Sequence, residues 1–215
     1  MTYAILQAGD SASFSSDDAV FQSAEATGDT LLIIGIDAGA AYVELASRNA
    51  YKLILIELGQ ECLGVHTGER RGLEGSQVLG FARFRLGNAE PSNLVEIVRQ
   101  PATPDALVTE ARVLFESHGL QTAVCGDFPG RIVNRLVRPY YNAALAKLDE
   151  KLATANDLDL TLKLGLGYPE GPIELLERTG LAEHYEVTQS LYEALGESPF
   201  SPARRAQVAH ARRVR

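Results

Sequence analysis

Apolar positions fall into two regimes along the chain. Over the first 126 residues, short β-branched and aliphatic runs alternate with stretches of helical periodicity. Runs at Tyr3–Gln7, Leu31–Ile36, Lys52–Leu58, Val78–Phe84, Leu94–Val98 and Thr122–Cys125 predict strands. Between them, Asp17–Ala26, Ala40–Asn49 and Pro104–His118 predict helices, the last with Thr103 as N-cap and Pro104 at the first helical position. This alternation is the pattern of an α/β layer on a mostly parallel sheet. The stretch Gly59–Ser76, rich in Gly, Glu and Arg, predicts an exposed loop or an irregular helix.

From Pro129 onward the pattern is helical only. Ile132, Val133, Leu136, Val137, Tyr140, Tyr141, Ala144, Leu145, Leu148 and Leu152 recur at spacings of three and four and share one broad face. Thr154-Ala155-Asn156-Asp157 predicts the capped start of a second helix that runs through Leu164 until Gly165 and Gly167 interrupt it. A turn at Gly167–Pro172 launches a third helix, which Gly180 ends, and a fourth covers Leu181–Leu195. The tail residues Arg204, Arg205, Arg212, Arg213 and Arg215 read as a solvated last helix whose cations suit its C-terminal end.

Composition narrows the function classes. With 46% apolar and 22% charged residues, the 215-residue chain can bury a full core, which excludes global disorder. Lys plus Arg number 20 against 28 Asp plus Glu, a net charge of −8 that excludes a basic nucleic-acid reader. Residues 1–120 carry 8 basic against 16 acidic side chains, and residues 121–215 carry 12 against 12, so the front part is a poor general attractor for pyrophosphate. Cys62 and Cys125 stand far apart with no His-rich surroundings and read as reduced core thiols, not a metal site or a disulfide. There is no basic leader and no apolar run of about 20 residues, so the expectation is a cytoplasmic protein without a membrane span.

Ordered motifs then point to a family. Asp127-Phe128-Pro129-Gly130-Arg131-Ile132-Val133-Asn134-Arg135 is similar to the pattern D-x-P-G-F-I-x-N-R of the NAD-dependent 3-hydroxyacyl-CoA dehydrogenases. Pro139-Tyr140-Tyr141-Asn142, Asp157-Leu158-Asp159 and Leu164–Pro172 follow that family's helical C-terminal domain in order and spacing, and Leu94-Val95-Glu96-Ile97-Val98 resembles its L-V-E-V-V strand. The resemblance implies a Rossmann-like α/β domain, shortened here, over residues 1–126, followed by an all-α dimerisation domain of the 6-phosphogluconate dehydrogenase C-terminal-like type over residues 127–215. It implies NAD as cofactor and no metal, an acyl-CoA ligand, and a homodimer formed through the helical domain. It also implies catalytic roles for Glu96, which orients a His base, and for Asn134, which helps to hold the substrate.

Several of the family's polar groups are replaced in this chain. Its V-L-G-M-H-F-F-N-P strand corresponds to Val78-Leu79-Gly80-Phe81 followed by Ala82-Arg83-Phe84-Arg85, which puts either Ala82 or Phe84 at the His position. Neither accepts a proton. The family's S-N-T-S-S-L segment falls on Leu58–Leu63, where the hydroxyls are gone and Glu61 adds a charge. The first strand runs into Gln7-Ala8-Gly9-Asp10-Ser11 instead of a G-x-G-x-x-G loop, and the nearest imitation, Gly35-Ile36-Asp37-Ala38-Gly39 with Glu57 about twenty residues on, carries an acid at the second glycine. His66 is a candidate relocated base. Arg83 and Arg85 share a strand face that could take a phosphate or pair with nearby acids. The expected function is a 3-hydroxyacyl-CoA dehydrogenase-family protein with impaired NAD-dependent hydride transfer. The alternative is a non-catalytic acyl-CoA-binding or dimerisation partner subunit.

Overall fold

The computed structural model describes residues 2–214, so Arg215 of the tail lies outside the described residues. The backbone forms two compact units. One comprises Met1–Arg85 and Pro91–Ile132, the other Leu86–Glu90 and Val133–Arg215.

The first unit is a six-stranded sheet of β1 (Tyr3–Gln7), β2 (Thr30–Ile34), β3 (Leu53–Glu57), β4 (Val78–Arg83), β5 (Leu94–Arg99) and β6 (Gln121–Gly126). Their order across the sheet is the order in the chain. All neighbours pair parallel except β4 and β5. The interior strands β2 and β3 are buried along their whole length, as strands covered on both faces must be. On one face Leu32, Ile34, Leu53, Leu55, Phe81 and Val95 pack against α4 (Asp105–Glu116) and against Phe14 and Val20 of the β1–β2 connection, which holds the four-residue α1 (Ala19–Gln22). On the other face Leu31, Ile33, Ile54 and Ile56 pack against α2 (Ala38–Glu44) and Leu63, which precedes the single-turn α3 (Gly64–Thr67).

The second unit holds α5 (Val133–Asp149), α6 (Ala155–Leu166), α7 (Pro172–Thr179), α8 (Leu181–Leu195) and α9 (Arg204–Arg213). Thr154 caps α6 by accepting from the Asp157 N–H at 3.1 Å. Gly165 stays helical, and α6 ends at Gly167, whose φ of 72° only glycine adopts freely.

Four sequence expectations are corrected. Thr103 does not cap α4, because its hydroxyl accepts from the Gln100 N–H instead. The helix expected over Asp17–Ala26 is one turn long, since the Glu25 N–H is drawn to the Tyr3 carbonyl beside β1. The broad apolar face of α5 is only partly interior: Leu136 is 70% exposed, whereas Asn134, Arg138 and Asn142 are buried. Cys62 and Cys125 are free thiols but half-buried rather than core. Burial raises both to about 11, helped at Cys62 by Asp127 and at Cys125 by Glu96. Among the described residues no helix is long and apolar enough to cross a membrane.

Candidate functional site

The antiparallel β4–β5 ladder sets the centre of the site. Its register pairs Ala82 directly with Glu96. Residues opposite each other in an antiparallel pair project to the same face with Cβ atoms about 5 Å apart. Gly80, two residues earlier on β4, would carry a side chain on that face against Leu58. Of the two sequence alignments, the one anchored on Gly80 therefore gives the residue facing Glu96, and that residue is a methyl group. Phe84 lies two positions beyond.

Glu96 is 1% exposed. Its Oε1 accepts from the Ile132 N–H at 2.8 Å, which fixes the chain just before α5 begins. Its Oε2 lies 3.5 Å from Nε of Arg131, itself 5% exposed. Arg131 follows Gly130 (φ 73°) and has φ 53° itself, so two consecutive left-handed residues turn the chain over this face of the sheet. Burial pushes the guanidinium below its ordinary value, and the neighbouring Glu96 opposes the shift. Nη1 of Arg131 is buried without a hydrogen-bond partner. Sequence reasoning missed Arg131 as a member of the site. The signal was present, since it stands where the family pattern has Phe.

The carboxyl ends of parallel strands are where a Rossmann-type sheet receives a dinucleotide, at the point where strand order reverses. Here the order never reverses. The donors at those ends are occupied by the chain's own anion: Glu57, at the end of β3, accepts from the Gly35 N–H at 2.7 Å, the Ser13 N–H at 2.8 Å and the Ser11 hydroxyl at 3.0 Å. Gly35 (φ 122°) is glycine because a Cβ would overlap the Ala8 and Gly9 carbonyls, and Gly39 because a Cβ would overlap the His66 ring. The glycines that imitate a phosphate loop thus serve chain packing, and Glu57 binds two backbone N–H groups and the Ser11 hydroxyl. These residues do not fit a dinucleotide at these strand ends.

The other candidates have local partners. His66 Nε2 lies 3.4 Å from Glu61, so the carboxylate beside this candidate base is Glu61. Arg83 donates to the Ser13 and Ser92 carbonyls and to Asp18 at 3.1 Å, and stacks 5.3 Å from the Phe14 ring centroid, which makes it a packing residue. His118 meets the Leu114 carbonyl and the Tyr3 hydroxyl, and His210 stacks on Tyr185.

In the helical unit, Asn134 joins a buried polar chain that the sequence did not reveal. Asn134 Oδ1 accepts from Arg138 Nε at 2.9 Å, Arg138 Nη1 lies 3.0 Å from His184 Nδ1, and His184 Nε2 lies 2.9 Å from Asn142 Oδ1. A guanidinium only donates, so Nδ1 of His184 accepts and Nε2 carries the proton. Burial, with Arg138 beside it, lowers His184 to about 3, and burial lowers Arg138 to about 10. The polar spacing i, i+4, i+8 along α5 was the available signal.

Comparison with known proteins agrees with the motifs. Residues 130–214 match the family described as 3-hydroxyacyl-CoA dehydrogenase, C-terminal domain. The 3-hydroxybutyryl-CoA dehydrogenase of Bradyrhizobium diazoefficiens is 38% identical over 109 residues, 51% of this chain and 37% of that protein. The chain thus spans well under half the length of this curated relative. A solved 3-hydroxybutyryl-CoA dehydrogenase from Escherichia coli superimposes with a TM-score of 0.70 at 28% identity, covering 85% of this chain and 39% of that one. The (S)-3-hydroxybutyryl-CoA dehydrogenase of Ralstonia eutropha shares the fold, with a TM-score of 0.69 at 22% identity over 86% of this chain and 65% of that one. Over residues 130–214, therefore, the chain carries the C-terminal domain of the 3-hydroxyacyl-CoA dehydrogenase family.

Proposed function

We propose that this chain is a 3-hydroxyacyl-CoA dehydrogenase-family protein in which NAD-dependent hydride transfer is impaired. The observation that carries the reading is the pairing of Ala82 with Glu96. Oxidising a 3-hydroxyl needs a group that takes its proton, and such a base typically contributes a hundredfold to ten-thousandfold in rate. Beside Glu96 stand a methyl group and a guanidinium, neither of which accepts a proton at neutral pH. Glu57 in the donor nest at the carboxyl ends of β1–β3 supports the same reading from the cofactor side. Glu96 then holds Arg131 and Ile132, and Asn134 holds Arg138.

A second reading, a non-catalytic acyl-CoA-binding or dimerisation partner in the cytoplasm, is favoured by the helical unit. Leu136, Leu160, Leu164 and Leu166 are exposed there. An apolar groove of about 370 Å³ runs between α5 and α6, lined by Tyr140, Ala144, Leu158 and Leu162.

Calorimetric titration with NADH and with acetoacetyl-CoA, done separately, tests both readings. Saturable acetoacetyl-CoA binding without NADH binding is the expected result. NADH binding together with turnover that Glu96→Gln abolishes would overturn the impaired reading. Binding of neither ligand leaves the dimerisation role alone.

A further inference from the structure

We infer that Arg131, in place of a side chain at position 82, is the cationic partner of Glu96, so that the group beside this carboxylate donates hydrogen bonds and takes no proton. The inference deepens the proposed reading, because it explains why no base stands beside Glu96.

The argument begins with burial. A carboxylate as enclosed as Glu96 requires a counter-charge, since an unpaired buried ion costs several kcal/mol. The cross-strand position that could supply one, on the same face of the sheet, holds the Ala82 methyl. The cation comes instead from the turn after β6, where a left-handed backbone brings Arg131 to 3.5 Å from Glu96. That conformation is costly for a residue with a side chain, and Arg131 adopts it where the family pattern has an aromatic side chain that brings no charge. The two departures from the family pattern, an imidazole absent from β4 and a guanidinium present after β6, meet at one carboxylate.

The chemistry of the site changes with the exchange. An imidazole beside Glu96 could cycle its proton near neutral pH, but a guanidinium keeps its own. Nη1 of Arg131 remains unspent inside the protein, and a buried donor without a partner costs about 1–3 kcal/mol. A ligand that met it would bring an oxygen acceptor, a carbonyl or a carboxylate.

The test needs no ligand, so its outcome is separate from that of the NADH and acyl-CoA titrations. Ala82→His places an imidazole opposite Glu96, and Arg131→Phe removes the competing cation. The titration of that imidazole is read by NMR in Ala82→His and in Ala82→His/Arg131→Phe. Cys125 on β6 and Glu61 also act on Arg131, and Asp127 acts on Cys125; all three are common to both proteins. In the double variant the carboxylate is freed for the imidazole, which then titrates at least about one pH unit higher than in the single variant. Coincident midpoints would overturn the inference.

Should Ala82→His fail to fold, a double-mutant cycle decides. Arg131→Met is expected to lower the folding equilibrium constant more than about a hundredfold when Glu96 is present. In a Glu96→Gln background the loss is at least about tenfold smaller, because no lone charge is left behind. Equal losses in both backgrounds would show that Arg131 is not the partner of Glu96.

Discussion

His184 can satisfy both ring nitrogens only as the neutral tautomer, accepting from Arg138 and donating to Asn142. A second proton would turn Nδ1 into a donor facing a guanidinium. The folded-state value of about 3 lies well below the ordinary 6.5, so between those limits the unfolded chain binds a proton that the folded chain does not. Stability from this group is therefore complete above about pH 6.5 and falls by roughly 1.4 kcal/mol per pH unit as the medium is acidified towards pH 3. Urea denaturation at pH 7 and pH 5 measures the slope, and His184→Gln, which does not titrate, is expected to flatten it. The same residues show what the sequence concealed. Their spacing along α5 was visible, but their burial depends on α8 and on the Pro199 and Ser201 carbonyls that hold Asn142, and periodicity carries no information about such distant partners.

Between elements, two helix starts in this fold, those of α3 and α7, are held by carboxylates from elsewhere in the chain, whereas α6 has its own Thr154 cap. Asp159 on α6 accepts from the Ile173 and Glu174 N–H groups at 2.8 and 3.0 Å, where α7 begins with the incompetent caps Gly171 and Pro172. Asp127 does the same for the Leu63 and Gly64 N–H groups at 2.6 and 2.7 Å. A buried carboxylate on helix N–H groups combines charge-assisted hydrogen bonds with a favourable macrodipole. Asp159→Ala is expected to cost about 2–4 kcal/mol, read as a lower urea midpoint with unchanged slope, and Asp159→Asn to cost less because it keeps one acceptor. The acids of both motifs were legible as motif positions, yet their role as remote caps was not, since capping rules look only three or four residues along the chain. Strands fared better. All six were readable to within one or two residues, and β2 and β3, buried on both faces, announce themselves as unbroken apolar runs. Helix ends depended on partners farther off: α2 stops at Glu44, and Arg48 donates from outside to the Tyr42 and Val43 carbonyls.

At the scale of each whole unit, the sheet has a topological irregularity that sequence alone could not give. The β2–β3 and β3–β4 connections cross the face that carries α2 and α3, whereas the β1–β2 connection crosses the α4 face while stepping in the same direction. The β5–β6 connection also crosses the α4 face, but its strands run the other way, so it shares the hand of the first two. Three crossovers therefore have one hand and the β1–β2 crossover has the opposite one, which the right-handed rule makes the exception. A connection with one helical turn instead of a packed helix, tied by Glu57 across Ser11, Ser13 and Gly35, can take this route.

The helical unit raises a different question, because its apolar surface is not all turned inward. Leu160 and Leu164 stand one turn apart on α6, 46% and 78% exposed, and Leu166 follows at 63%. Contiguous exposed leucines on a folded domain mark an interface more often than an accident, and a second copy offers the self-complementary surface of a two-fold pair. Light scattering is expected to give the mass of two chains for the unaltered protein and of one chain for Leu160→Lys/Leu164→Lys, with circular dichroism unchanged. A single-chain mass before any substitution would remove the homodimer, and with it the dimerisation part of the second reading. It would leave the ion pair of Arg131 with Glu96 untouched, because both residues lie within the sheet-bearing unit.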